Sequence, residues 1–283
     1  RKRRDNLSSD RNFSMWIPPR FIMEAPVLMR LLPSIFRRYA KFFKHRYTVE
    51  RRMGALFLLD QRNLVDRHLL IRGAWEARQM DRLFGLAETL FPAARGPRQF
   101  FDIGAHGALY AIRFALTGRP DDRVTAVECD PVNLSQLSAN LLLNGLTQRV
   151  ALWRYAASDT NEMLTLRIAP DTNRGGSRLN YHGEPGFENV CEVEARRLDG
   201  LWSGEKLPLV AKIDVEGHEI QVLNGMKTML TTCPSLLQIE IFASTLEATT
   251  ALLASWGYRV IGSIADDYYF TNQAQADGER QPS

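Results

Sequence analysis

Three short stretches hold residue types from which a ligand site can be built. Phe100-Phe101-Asp102-Ile103-Gly104-Ala105-His106-Gly107-Ala108-Leu109-Tyr110 runs from an apolar strand into a turn of small residues and then a helix. Gly104, Ala105, Gly107 and Ala108 let backbone approach a ligand at a helix N-terminus, where N–H groups and the dipole favour negative charge. Asp102 can receive a ligand's ammonium group. Val124-Thr125-Ala126-Val127-Glu128 is a second strand, and its carboxylate stands twenty-six positions after Asp102. There an acidic residue can bind both hydroxyls of a ribose. Lys212-Ile213-Asp214-Val215-Glu216-Gly217-His218-Glu219 places carboxylates and an imidazole just beyond a further strand, at the edge where open α/β sheets bind ligands.

A glycine turn alone discriminates little. Strand, small-residue turn, helix and acid-ended strand together suit an adenosine-type cofactor, and both NAD and S-adenosylmethionine meet that description. The dinucleotide fingerprint needs three glycines to seat a pyrophosphate. Here the corresponding positions read Gly104, His106 and Gly107-Ala108. A bulky His at the middle position crowds a pyrophosphate but tolerates the methionine tail of a sulfonium cofactor, which favours the methyl donor.

The elements that must hold these residues follow from periodicity. From residue 98 onward short apolar runs alternate with amphipathic ones: QFFDI then 109–116, RVTAVE then 134–144, VALWRYA, LPLVAKIDV then 220–230, LLQIEIF then 246–256, and finally YRVIGSI and YYFTN. Strand and helix periods in alternation predict a mostly parallel sheet with helices on both faces. Residues 163–197 read as an inserted strand pair with a glycine-rich loop, Asn173-Arg174-Gly175-Gly176-Ser177. Upstream, 48–97 reads as a cap, with a strand or hairpin at 50–60 and a helical stretch at 63–88 interrupted by Gly73. Four segments result: a basic arm (1–47), the cap (48–97), the cofactor domain (98–272) and a polar tail (273–283). Trp153, Trp202 and Trp256 are expected to be packing residues.

The 283 residues carry a formal charge of +4, and 45% are hydrophobic, so wholesale disorder is excluded. No apolar run reaches the ~20 residues of a membrane-spanning helix. Residues 1–52 hold fourteen Lys/Arg against four Asp/Glu, while the rest hold twenty-two against twenty-eight. The basic character therefore belongs to the arm. From Pro26 to Tyr47 an apolar stripe (Leu28, Leu32, Ile35, Tyr39, Phe42) opposes Arg30, Arg37, Lys41 and Lys44. Such a helix can dock on the domain or lie on an anionic membrane surface. Nucleic acid is not an expected partner. Three scattered cysteines, Cys129, Cys191 and Cys233, fit no disulfide or zinc pattern, and no secretory signal is seen. The expected location is cytoplasmic, with peripheral attachment to the inner membrane surface left open by the arm.

The chain resembles the FkbM family of S-adenosylmethionine-dependent methyltransferases. The likeness rests on Asp102-Ile103-Gly104-Ala105 with Tyr110; on Val127-Glu128-Cys129-Asp130-Pro131 with Asn133, Leu137, Asn140 and Asn144; and on Lys212 to Glu219 with Val222, Leu223, Gly225, Pro234 and Glu240. His106, Ala108 and Cys129 stand where the family commonly has Asn, Gly and Pro. The resemblance implies a Rossmann-like class I methyltransferase fold, a seven-stranded sheet whose last strand is antiparallel. It also implies O-methylation of a sugar, glycolipid, polysaccharide or secondary metabolite.

Methyl transfer to an alcohol needs alignment of nucleophile, methyl and sulfur, and a base for the departing proton. Asp214 is the expected carboxylate nearest methyl and acceptor, with Glu216 or His218 as general base; Glu216 and Glu219 can instead serve a helix N-terminus. Cofactor contacts are expected from Asp102, Gly104, Ala105, His106, Tyr110, Glu128 and Cys129, from Ser158 and Asp159 at the adenine edge, and from Glu76 on the cap side. Lys212 is expected to form a salt bridge, and Glu240 to face the pocket or pair with Lys212. Clustered carboxylates can hold magnesium, but no full ligand set is fixed and no metal is expected. Three alternative readings remain: a non-catalytic binding module on the same fold, a nicotinamide-dependent oxidoreductase, and an N-methyltransferase. The last commonly carries an Asn/Asp-Pro-Pro-aromatic motif where this chain has Asp214-Val215-Glu216.

Overall fold

The apolar runs form strands buried on both faces, as parallel sheets require. The computed structural model describes residues 46–179 and 190–274. The amphipathic helix expected from Pro26 falls outside the described residues apart from its last two positions, and Tyr47 itself opens a strand. The tail after residue 274 also lies outside them. The cap comprises β1 (Tyr47–Arg52), β2 (Ala55–Asp60), α1 (Leu64–Arg72) and α2 (Ala77–Leu90). The domain then runs β3 (Gln99–Ile103), α3 (Leu109–Thr117), β4 (Arg123–Val127), α4 (Pro131–Leu143) and β5 (Val150–Trp153). An insertion supplies β6 (Ala156–Ala157), β7 (Met163–Arg167), β8 (Arg178–Leu179) and β9 (Val190–Arg196). The chain closes with β10 (Leu209–Ile213), α5 (Glu219–Gly225), α6 (Lys227–Thr232), β11 (Ser235–Glu240), α7 (Leu246–Ser255), β12 (Arg259–Ile264) and β13 (Asp267–Thr271).

The main sheet has seven strands in the order β12-β13-β11-β10-β3-β4-β5, and β13 runs antiparallel to both neighbours. This is the doubly wound, Rossmann-like architecture expected. The order reverses between β3 and β10, and the crevice outside such a switch point is where open α/β sheets bind ligands. The insertion forms a separate small sheet, β6-β9-β7-β8. Among the described residues no helix is long and apolar enough to cross a membrane.

Successive residues of β3 feed opposite layers. Phe100 stacks on Phe114 at 4.4 Å and joins Phe57, Leu83, Phe91 and Ile112 beneath the cap. Phe101 joins Ile213, Leu223, Leu230 and Leu237 on the other face, with Trp153, Trp202 and Trp256 packed at its margin. Two boundaries differ from the sequence pattern. The helix expected from Leu134 begins at Pro131, because Asp130 accepts from the N–H groups of Val132 (2.8 Å) and Asn133 (3.3 Å) and proline suits the first helical position. The helix expected at 220–230 is two, broken at Met226. A Cβ on Gly225 would lie 1.9 Å from the Ser158 carbonyl oxygen, so helix and strand backbones touch there.

The cap is fastened to the domain by a ladder of amides along one face of α4. Asn144 accepts from Leu56 N–H (2.9 Å) and donates to its carbonyl (2.7 Å). Asn140 accepts from Leu58 N–H (2.7 Å), and Gln136 donates to the Leu58 carbonyl (2.8 Å). Four helical residues rise ~6 Å and two strand residues ~6.6 Å, so Asn140 and Asn144, one turn apart, meet Leu58 and Leu56, alternate residues of β2. The helix thus stands in for a neighbouring strand and closes an open edge. Asn140 also donates to the Gly107 carbonyl at 2.9 Å, which joins the ladder to the ligand-facing turn. Replacing Asn140 with Ala should lower the unfolding free energy by about 2–3 kcal/mol, since buried partners lose their bonds. Leu142→Ala on the exposed side of the same helix should change it by less than ~0.5 kcal/mol. Urea unfolding of both variants checks this; equal effects would contradict the ladder.

Candidate active site

Four adjacent parallel strands each deliver a carboxylate to the carboxyl edge of the sheet. Glu240 ends β11, Asp214 follows β10, Asp102 is next to last in β3, and Glu128 follows β4. All four line one cavity. The cap contributes Trp75 and Glu76, and the insertion contributes Ser177 and Arg178.

The turn after β3 is set by steric contact. Gly104 sits at φ 77°, and a Cβ there would lie 1.7 Å from the Asp214 carbonyl oxygen, so only glycine lets the two strand ends meet. Glu128 ties this turn to the next strand. Its carboxylate accepts from the N–H groups of His106 (2.8 Å), Cys129 (2.9 Å) and Asp130 (2.7 Å). Burial pushes its carboxyl up to about 7 against the pull of those donors. A carboxylate offers about four lone-pair directions, so about one is left for a ligand hydroxyl, where the sequence pattern suggested two.

Lys212 occupies the centre. Its Nζ lies 2.6 Å from Asp214 Oδ2 and 5.2 Å from the centre of the Tyr110 ring. Asp102 is its register partner on β3. Asp102 accepts from Ala111 N–H at 2.9 Å, which caps α3, and burial raises its carboxyl to about 7. The Tyr110 hydroxyl donates to Glu76 (2.9 Å) and accepts from Gln238 (2.9 Å), which also donates to Asp267 (2.8 Å). Burial raises Glu76, while Asp214, Glu76 and Asp102 hold Lys212 in its charged form. Lys212 in turn keeps Asp214 below the usual carboxylate range.

Backbone strain gathers at this edge. Of six described non-glycine residues with positive φ, three line the cavity: Glu76 at 48°, His106 at 47° and Glu216 at 54°. Such geometry costs on the order of 1–3 kcal/mol per residue and is characteristic of functional sites. Burial, with Asp214 and Glu219 nearby, raises the Glu216 carboxyl to about 7. Glu219 itself accepts from Gly217 N–H at 2.9 Å and serves the start of α5.

The cavity brings together Glu76, Asp102, Gly104, Ala105, His106, Tyr110, Glu128, Cys129, Asp214 and Glu216. Ser158, Asp159 and His218 stand outside its lining. His218 Nε2 lies 3.0 Å from the Ser158 hydroxyl, which lies 3.3 Å from Asp159. Tyr155, Ala156 and Ala157 line the wall where Ser158 and Asp159 were expected. Among the described residues no cluster of His, Cys, Asp and Glu is arranged to hold a metal ion. Sequence reading missed Asn63, whose only signal was a capping residue before a helix. Asn63 Oδ1 accepts from Val65 N–H at 2.9 Å, which fixes the amide, and its Nδ2 donates to His106 Nε2 at 3.3 Å. The insertion is pinned as a roof: Ser177 donates to Asp130 (2.9 Å), and Arg46 bridges Asp60 (2.6 Å) and Asp171 (2.9 Å).

His106 must therefore be neutral with its proton on Nδ1. Burial, aided by the Lys212 charge, pushes its imidazole down to about 4, so it gains a proton only below that pH. An NMR titration should find the His106 ring signals unmoved between pH 8 and pH 5.5; a midpoint near the ordinary ~6.5 would contradict this geometry.

A family model described as the methyltransferase FkbM domain matches residues 102–260, more than half of the chain. No curated protein matches. Solved structures with a similar fold include an FkbM methyltransferase from Methylobacillus flagellatus KT, 16% identical over 62% of this chain, with a TM-score of 0.45. This chain spans 43% of that protein's length. A SAM-dependent methyltransferase from Agrobacterium tumefaciens is 11% identical, covering 81% of this chain and 70% of its own, with a TM-score of 0.46. P. horikoshii TYW2, solved with MeSAdo, is 11% identical, covering 87% and 83%, with a TM-score of 0.42. The match of the domain model over residues 102–260 establishes that the chain belongs to the FkbM family of S-adenosylmethionine-dependent methyltransferases.

Proposed function

We propose that the protein methylates a hydroxyl oxygen of a sugar, glycolipid, polysaccharide or secondary metabolite, using S-adenosylmethionine. The observation that carries this reading is the set of four carboxylates on adjacent strand ends around one lysine, an edge that attracts a positively charged ligand. When bound, S-adenosylmethionine supplies an electrophilic methyl group already activated by a positive sulfur. The residues present fit such a ligand. Glu128 keeps a lone pair for a ribose hydroxyl, Ala156 and Ala157 leave room beside it for a flat base, and Asp102, Glu76 and Asp214 suit ammonium and sulfonium charge. A pyrophosphate would bring negative charge to the same carboxylates, which argues against the nicotinamide reading.

An alcohol must lose a proton as its oxygen attacks, and this is the chain's chemical task. Glu216 is the residue we assign to it. It lines the cavity beside Asp214, is held in a strained conformation, and has a carboxyl raised to about 7, so it is partly ionised near neutrality and able to accept a proton. His218, the other candidate, is engaged with Ser158 outside the cavity lining. Lys212 fixes Asp214 so that its charge is oriented before ligand arrives, and Asn173, Ser177 and Arg178 of the insertion line the same cavity. The need for a base, and the sequence Asp214-Val215-Glu216 in place of an amide-and-proline motif, favour oxygen over nitrogen as nucleophile.

Incubating the host's glycolipid and metabolite extract with radiolabelled S-adenosylmethionine tests the reading. Wild-type protein should label an alcohol-bearing acceptor, with a rate that rises with pH through about 7 as Glu216 ionises. Glu216→Gln should lose about 100-fold or more in kcat while binding the methyl donor within about threefold. Unchanged turnover in that variant would remove Glu216 from the role, and no labelled acceptor with any extract would count against the function.

A further inference from the structure

The cavity holds more carboxyl groups than its cations can balance. Glu76, Asp102, Glu216, Glu240 and Asp267 all feel the charge of Asp214, and Lys212 is the ammonium among them. The register Ile213↔Ile239 sets Asp214 and Glu240 side by side on neighbouring strand ends, and both line the cavity. Two carboxyl groups side by side in a buried site repel when both are ionised, so one of them keeps a proton. Every charged neighbour of Glu240 bears on which one. Lys212 contacts Asp214 Oδ2 at 2.6 Å, which keeps Asp214 ionised. Asp267 is the register partner of Glu240 on β13, and its negative charge opposes ionisation of Glu240. The proton therefore resides on Glu240, whose carboxyl is raised to about 9 by burial and by Asp214. His106 is neutral and adds no charge, and Arg178 acts on Glu216.

We propose that the Asp214–Glu240 pair holds one proton when the cavity lacks a cationic ligand and releases it when a sulfonium enters, so that Glu240 is a specificity-determining residue separating S-adenosylmethionine from its neutral product, S-adenosylhomocysteine. The inference rests on the cofactor reading given above and deepens it. A fixed positive charge beside the pair takes over the role of the shared proton, because both stabilise two adjacent carboxylates. The thioether product carries no such charge and leaves the proton in place. The inventory also balances over a turnover. The C–S bond breaks as the C–O bond forms, which cancels the sulfonium charge; the hydroxyl proton passes through Glu216 to the pair, and the ether and thioether that leave are both neutral. The cavity thus begins and ends at the same net charge.

Isothermal titration calorimetry of the full chain at pH 7 in buffers of different ionisation enthalpy counts the protons. Both ligands carry the same amino-acid tail, so their difference isolates the sulfonium. Wild type should release close to one proton more with S-adenosylmethionine than with S-adenosylhomocysteine. Its affinity for the former should tighten by up to tenfold per pH unit toward pH 9, while affinity for the latter stays flat. Glu240→Gln keeps the size and polarity of the side chain but has no proton to give, and its excess release should fall well below that of wild type. Glu216→Gln should retain it. Equal release with the two ligands in wild type, or undiminished release in Glu240→Gln, overturns the inference while leaving the cofactor reading intact. If Glu240→Gln does not fold, the wild-type comparison decides alone. No binding heat with either ligand overturns the cofactor reading itself.

Discussion

The contact between Lys212 and Asp214 is the interaction on which the rest of the site depends. A lysine within the continuous buried run of β10 would be untenable by itself, since removing an ammonium from water costs several kcal/mol even after relaxation. Here it is surrounded by Asp214 at 2.6 Å, by Asp102 on the adjacent strand and by the face of Tyr110 at 5.2 Å. The dependence runs both ways. Asp214 in turn keeps its charge in this buried site because the lysine balances it.

Around that centre the backbone is used as fully as the side chains. Gly104 lets the turn after β3 touch the end of β10, and Glu128, accepting from the His106 N–H, fixes the same turn against β4. Asn140 links the turn to the cap, and Asn63 links the cap to His106. Each tie joins elements distant in sequence, so the site is rigid because several independent pieces of chain agree on its position. The electrostatic consequence is a cavity whose sign is chosen by its fold, hospitable to a sulfonium and an ammonium and hostile to phosphates.

Much of this was legible in the residues. Alternating periods revealed the parallel sheet because strands buried on both faces have little choice of composition. Gly104 and Glu128 were visible because a close backbone approach needs glycine, and because strand ends at a switch point are where acidic residues meet ligands. What stayed hidden depended on tertiary contact. The break at Met226 follows from Gly225 meeting the Ser158 carbonyl, which no local pattern contains. His218 looked like a base beside Asp214, yet the turn through Glu216 and Gly217, both at positive φ, leaves it bonded to Ser158. The spacing of Gln136, Asn140 and Asn144 was in plain sight as an i, i+4, i+8 series. Its meaning depended on a strand from eighty residues upstream lying alongside. Glu240 was legible as a pocket-facing strand end, but Asp267 comes to stand beside it only once β13 folds back antiparallel to β11.

A crystal structure of the protein with S-adenosylmethionine bound would test the central claim most directly. The account predicts the sulfur beside the Asp214–Glu240 pair, a ribose hydroxyl on the remaining lone pair of Glu128, and Lys212 still in contact with Asp214. A ligand seated elsewhere on the chain, or one whose sulfur faces away from these two carboxyls, would contradict it.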